Sequence, residues 1–212
     1  GKNYQSKEDY IILAESTPAG TTTALATALA LGYKCQDMFS SSFKNVPNDI
    51  KNTTIKKALL RAKQHKDIFD IVGCVADNML IFNAGFILGC SYNKTKILLA
   101  GGTQMASVLL LVNSIVNDMG GLYDSSNIAL CTTSWVANDK NSDIKSLLEM
   151  LDFKINAYYS NFDFSLSEHM ALKLYDDGEA KEGVGAGGAL VYASLNGLGK
   201  EQITKKVEEF LI

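Results

Sequence analysis

The stretch Lys96-Ile97-Leu98-Leu99-Ala100-Gly101-Gly102-Thr103-Gln104-Met105-Ala106 decides how this chain folds. The apolar residues Ile97 to Ala100 show no polar alternation, the pattern of a strand buried on both faces. Two glycines stop it at once, and from Gln104 to about Asn117 the chain runs on without a helix breaker. Strand, glycine turn and helix together make one half of a crossover between parallel strands.

The same unit recurs on either side. Tyr10-Ile11-Ile12-Leu13-Ala14 predicts a strand, Glu15-Ser16-Thr17-Pro18-Ala19-Gly20 a loop, and Thr21 to Leu31 a helix that ends at Gly32. Further strands are expected at Ile128 to Thr132 and Lys154 to Tyr159. Helices are expected at Ile50 to Gln64, Asp77 to Cys90, Ile144 to Leu151, Glu168 to Tyr175 and Lys200 to Leu211. In the first of these helices Ile55, Ala58, Leu59 and Ala62 share a face and the lysines point outward. Alternation of this kind implies the α/β class, a three-layer αβα domain around a mainly parallel, Rossmann-like sheet. Ligands of such sheets bind beyond the carboxyl ends of the strands, where Glu15 to Thr23 and Gly101 to Gln104 would lie.

Composition sets the outer bounds. With 212 residues, 47% hydrophobic and 20% charged, the chain can bury a real core and is neither disordered nor collagen-like. Lys and Arg total 20 against 23 Asp and Glu, a net charge of −3 with no dense cationic run, so no nucleic-acid partner is expected. The longest apolar runs fall well short of the ~20 residues that cross a bilayer, so no membrane partner is expected either. The N-terminal Gly1-Lys2-Asn3-Tyr4-Gln5 has no apolar signal-peptide core and no initiator Met, as in a processed chain or a piece of a longer one. Cys35, Cys74, Cys90 and Cys131 are widely spaced and form no C-x-x-C pair. With only His65 and His169 to assist them, free thiols in a reducing, cytoplasmic setting are expected and no metal site. Asp77 suits a helix N-cap or a ligand contact, His65 a solvated position and His169 packing or capping.

Three segments can carry chemistry. Glu15 to Thr23 joins a strand to a helix N-terminus, where the helix's first N–H groups lack intrahelical partners and, with hydroxyls at Thr21 and Thr22, suit a phosphate; equally, Thr21 or Thr22 suits an ordinary helix cap. It is not a Walker A loop, since no Gly-Lys-Ser/Thr follows. Gly101-Gly102-Thr103 repeats the arrangement, and its paired glycines allow a ligand close to the backbone. The third, Lys181-Glu182-Gly183-Val184-Gly185-Ala186-Gly187-Gly188, satisfies G-x-G-x-x-G at 183, 185 and 188. Asp176-Asp177-Gly178-Glu179 precedes it instead of a strand, which rejects the dinucleotide fingerprint. What remains is a glycine-rich approach to a helix with Glu182 at its lip, either a dipole-satisfying charge or a catalytic carboxylate.

In this order the three segments resemble the nicotinate-nucleotide:dimethylbenzimidazole phosphoribosyltransferase family of cobamide synthesis, and its archaeal branch most closely. Pro18-Ala19-Gly20-Thr21-Thr22-Thr23-Ala24-Leu25, Leu99-Ala100-Gly101-Gly102-Thr103-Gln104-Met105 and Lys181 to Gly188 carry the likeness, which runs from about Tyr10 to Ala193. Against the bacterial enzymes, Gly20 stands where Asn is usual, and Ala100 and Gly102 replace an Asp and an aromatic residue. The resemblance implies that Glu182 is the catalytic base and Glu15 a second catalytic carboxylate near the ribose. It implies that Gly20, Thr21, Thr22, Gly101, Gly102, Thr103, Gly183 and Gly185 hold the substrate and its phosphate. The implied substrates are nicotinate mononucleotide and a benzimidazole-type base, without a cofactor or metal, in a homodimer. Family members carry a long segment before the first motif, whereas 14 residues precede Glu15 here, so the resemblance implies a single nucleotide-binding domain, 1–212, from the C-terminal part of a longer enzyme. A binding module without turnover, using the same phosphate turns, is the alternative.

Overall fold

The computed structural model describes residues 1–39, 48–179 and 181–211. Strands β1 (Ile11–Ala14), β2 (Ile97–Ala100), β3 (Ile128–Thr132) and β4 (Asn156–Tyr159) lie side by side in chain order, and every neighbouring pair is parallel. The connections carry α1 (Gly20–Ala30), α2 (Asn48–Ala62), α3 (Ile68–Val75), α4 (Asn78–Cys90), α5 (Thr103–Asp118), α6 (Ser134–Ala137) and α7 (Ile144–Glu149). After β4 come α8 (Met170–Asp176), α9 (Ala186–Leu195) and α10 (Lys200–Glu208). The three-layer, parallel α/β architecture is the expected one.

Register explains the layers. Ile11, Ile97 and Ile128 align in one row and Leu13, Leu99 and Leu130 in the next but one. These large side chains share a face and pack against α1, α4 and α5 in the main core. The opposite face carries the small residues Ala14, Ala100 and Cys131 in one row. Ile12 and Leu98 share this face nearer the strands' start, so it is its carboxyl end that is low enough to admit a helix backbone directly. At Gly188 a Cβ would meet Ala100 Cβ at 2.4 Å, and at Gly187 it would meet the Thr132 backbone at 2.3 Å. Helix α9 therefore rests on this face by its glycines, with its N-terminus at the strands' carboxyl ends.

Several boundaries differ from expectation. Helix α1 starts at Gly20, and its N-cap is Ala19 in the left-handed region (φ 57°) with no side-chain cap bond, so neither Thr21 nor Thr22 caps it. Helix α3 was not anticipated: the Asp67 carboxylate caps it by accepting from Phe69 and Asp70 N–H, and Ile68, Val72 and Val75 bury its inner face. The Gly73 in its middle disguises it. The single turn α6 is held by Thr133, whose Oγ1 accepts from Val136 N–H. Strand β4 begins at Asn156, two residues later than expected, and as the outer strand it is exposed along its whole length. Helix α10 closes at Glu208, short of the expected Leu211. Asp77 and His169 are N-caps, of α4 and α8 respectively. Among the described residues no helix is long and apolar enough to cross a membrane.

Candidate active site

Each of the first two segments leaves the carboxyl end of a strand and enters a helix: β1 leads through Glu15 to α1, and β2 through Gly101 and Gly102 to α5. Adjacent parallel strands put these turns side by side. The third segment follows no strand, yet α9 delivers it to the same place. A Cβ on Gly101 would lie 3.9 Å from Glu15 Cγ, and one on Gly102 would lie 3.7 Å from Glu182 Cγ. The paired glycines are thus the floor between two carboxylates. Gly102 has a further reason to lack a side chain, since Val136 of α6 would stand 3.3 Å from its Cβ.

Glu182 is half-buried at the head of α9. Its carboxylate accepts from Gly183 N–H at 3.1 Å and from Gly187 N–H at 3.1 and 3.2 Å. Burial raises its pKa from 4.5 to about 7, the N–H groups of Gly187 and Gly183 oppose the rise, and the charge of Glu15 adds to it. A carboxyl group poised there is ionised enough near neutrality to act and basic enough to hold a proton. Glu15 is buried, with 7% of its surface exposed, and accepts from Thr17 N–H at 3.2 Å. Burial raises its pKa too, against the Thr17 bond, and Asp77 adds a nearby negative charge. The cleft therefore holds carboxylates that resist simultaneous ionisation, which is where a developing cation is stabilised.

The remaining expected site residues belong to the same two turns and to the approach to α9. Gly20 and Thr103 are buried, and Thr21 and Thr22 half-buried in the first turn of α1. Gly183 is different from Gly185 and Gly187, because among the described residues a Cβ there meets no atom within 4 Å apart from its chain neighbours. Gly185 takes φ 84° and a Cβ on it would lie 2.7 Å from Ala14 Cβ, so its need for glycine is both conformational and steric. Ala19 at φ 57° and the β-branched Val184 at φ 47° border the cleft and occupy a region that costs such residues about 1–3 kcal/mol.

Contacts between residues far apart in sequence hold these segments in place. Asp77 Oδ1 accepts from Leu80 N–H at the head of α4, while Oδ2 accepts from the Thr23 hydroxyl at 2.5 Å. One carboxylate thereby ties the first turns of α4 and α1 together. Lys181, next to Glu182, pairs with Asp139 at 2.8 Å, the two side chains being 11% and 3% exposed. The backbone carbonyl of Lys181 accepts from the Thr133 hydroxyl at 2.6 Å. The partners lie 42 and 48 residues apart in sequence. Behind Glu182, Trp135 packs on Phe162, Phe164 and Tyr175, and the Glu182 charge adds to the burial that raises the Tyr175 pKa. Among the described residues no group of three or more His, Cys, Asp or Glu is placed to hold a metal ion.

No protein-family model matches the chain. It is 37% identical over 202 residues to a UPF0284 protein of Aeropyrum pernix, covering 94% of this chain and 55% of the relative. Identity is 40% over 213 residues to a UPF0284 protein of Sulfurisphaera tokodaii, and 37% over 214 residues to one of Methanothermobacter thermautotrophicus. In both cases 99% of this chain and 57% of the relative are covered. Homologues of nearly the whole chain are thus archaeal UPF0284 proteins, and their name states no activity. The chain spans a little over half the length of these relatives.

Proposed function

We propose that this chain carries the reaction centre of a phosphoribosyltransferase that moves the 5-phosphoribosyl group of nicotinate mononucleotide to a benzimidazole-type base. The products would be α-ribazole 5′-phosphate and nicotinate, as in assembly of the nucleotide loop of a cobamide. The observation that carries this reading is the placement of Glu182, beside Gly102 and with a pKa lifted to about 7, in a cleft shared with Glu15 and two helix N-termini.

The chemistry follows from those positions. The N-termini of α1 and α5 hold the 5′-phosphate through their dipoles, through first-turn N–H groups other than those of Gly20 and Thr22, which donate to the Thr17 and Ala19 carbonyls, and through the hydroxyls of Thr21, Thr22 and Thr103. Fixing the phosphate fixes C1′ for attack. One azole nitrogen donates its lone pair to C1′, and the C1′–N bond to the nicotinate breaks with its electron pair passing to the pyridine nitrogen. The transition state is oxocarbenium-like, and Glu15 provides negative charge near it. The proton on the other azole nitrogen passes to Glu182. The open space at Gly183 leaves room for a flat ring against the backbone.

The backbone bonds that Glu182 accepts at the head of α9 support a second reading, a nucleotide-binding module in which Glu182 is only a helix cap. Glu182→Gln in the complete protein decides between them. It keeps shape and hydrogen-bonding reach but cannot take the proton, so nicotinate release with saturating benzimidazole should fall by roughly 10²-fold or more while mononucleotide affinity holds. Turnover near wild type would leave the binding-module reading.

A further inference from the structure

Helix α4 runs Asn78-Met79-Leu80-Ile81-Phe82-Asn83-Ala84-Gly85-Phe86-Ile87-Leu88-Gly89-Cys90, 13 residues without a charge. A helix apolar on every side belongs in an interior. Helix α5 obeys the rule: its one charged residue is the last, Asp118, and it is buried along most of its length. The surface helix α2 shows the converse, with Asp49, Lys51, Lys56, Lys57 and Arg61 among its residues. Helix α4 follows neither. It packs chiefly on α5 and buries Leu80, Ala84, Ile87 and Cys90, yet Ile81 is 46% exposed, Phe82 64%, and Gly85 lies open.

These residues form one surface with the N-terminal segment. Phe82 stacks on Phe86, ring centroids 5.9 Å apart, and Tyr4 meets the Phe86 ring edge-on at 5.4 Å. Gly85 is one turn from Ile81 and Phe82. A Cβ on it would meet no described atom within 4 Å beyond the helix's own backbone, so the packing of these residues does not require glycine there. What results is an apolar surface with a notch, the kind on which another apolar element seats. Gly1 lies at its far end: a Cβ on Gly1 would stand 2.6 Å from Cys90 N and 2.7 Å from Gly89 Cα, and Asn93 donates to the carbonyls of Gly1 and Tyr4. Any residue ahead of Gly1 therefore leaves the fold beside α4. The aligned relatives have room for such residues, since this chain covers 55–57% of their length.

We propose that this face of α4 is an interface inside the complete protein, covered by an apolar stretch of chain that precedes Gly1 and folds back over Ile81, Phe82, Gly85 and Phe86. The occupant is apolar because a charge brought onto this face would lose its water and meet no countercharge on α4. The helix so covered is the one whose cap, Asp77, holds the Thr23 hydroxyl at the first turn of α1. Nothing in this assignment depends on the reaction proposed above.

Cross-linking in the complete protein tests it. With p-benzoylphenylalanine in place of Phe82, irradiation and peptide mapping should show a link within one chain to residues ahead of Gly1. A linked dimer would give the face to a second copy, and a link to residues beyond 212 would give it to the other end of the chain; either overturns the assignment. Thiol labelling covers the case of no link. Phe82→Cys and Ile81→Cys, both smaller than the residues they replace, should react with a maleimide at least about 100-fold more slowly than Lys145→Cys, whose site is open, and at a rate independent of protein concentration. Labelling of both as fast as Lys145→Cys means an open face and overturns the interface. Wild type, with Cys35, Cys90 and Cys131 buried, supplies the background.

Discussion

A carboxyl group with a folded-state pKa of about 7 and an ordinary value of 4.5 makes the protein hold its proton more tightly than the unfolded chain does. The stability tied to Glu182 is therefore full below pH 4.5 and declines as pH rises to about 7, beyond which it stays lost. Glu182→Gln does not titrate. Its melting temperature relative to wild type should climb from pH 4.5 to 7 and then level off. A variant that instead loses ground over that range would show that the N–H groups of α9 hold the ionised form more strongly than burial opposes it. Glu15 bears on the same titration. Its charge raises the pKa of Glu182, so Glu15→Gln should move the ascending limb of the pH–rate profile to lower pH in the complete protein. An unmoved limb would mean that the two carboxylates do not share a cleft.

At the scale of elements, α9 is seated by absent side chains. Gly187→Ala puts a methyl group 2.3 Å from the Thr132 backbone, which cannot yield as a flexible side chain can. A destabilisation of roughly 1–3 kcal/mol or more is expected in denaturant melts. Gly183→Ala, with nothing within 4 Å, should fold with near wild-type stability, and equal losses in the two variants would contradict the seating described. Helices α1 and α4 meet through Asp77, which caps one and receives the Thr23 hydroxyl of the other. Asp77→Ala removes both bonds and should cost about 1–2 kcal/mol. Sequence marks the cap, because Asp before an apolar helical run is a local pattern; it does not mark the second bond, which exists only because two helices arrive together.

At the scale of the whole molecule, a buried ion pair joins segments 42 residues apart. Lys181 and Asp139 hold the loop bearing Glu182 against the segment after β3. Taking two charges out of water nearly cancels their attraction, whereas removing one partner leaves the other without its countercharge, even though Asp139 keeps its bonds from Asn141 N–H and the Ser142 hydroxyl. Lys181→Met alone should therefore destabilise by roughly 3–5 kcal/mol, and Lys181→Met with Asp139→Leu by much less. If the single and double variants melt alike, the pair is not coupled in the folded protein. The small residues on the α9 face of the sheet act over the same range, since Ala14 and Ala100 are what let Gly185 and Gly188 approach.

The chain's own order determined the parallel α/β fold and the position of the first two site segments. Periodicity is local, and a strand followed directly by a helix in a parallel sheet has only one end at which its connecting turn can lie. Glu15, Gly20 and Gly101 were legible for that reason. Local pattern also named Glu182, but not its neighbours, because no strand leads into its segment. Its arrival beside Gly102 depends on α9 matching a low sheet face, a steric complementarity between residues far apart in sequence. The same holds for the raised pKa of Glu182 and the Lys181–Asp139 pair. Burial, charge proximity and close packing are properties of residues that meet, and only the tertiary structure brings them together.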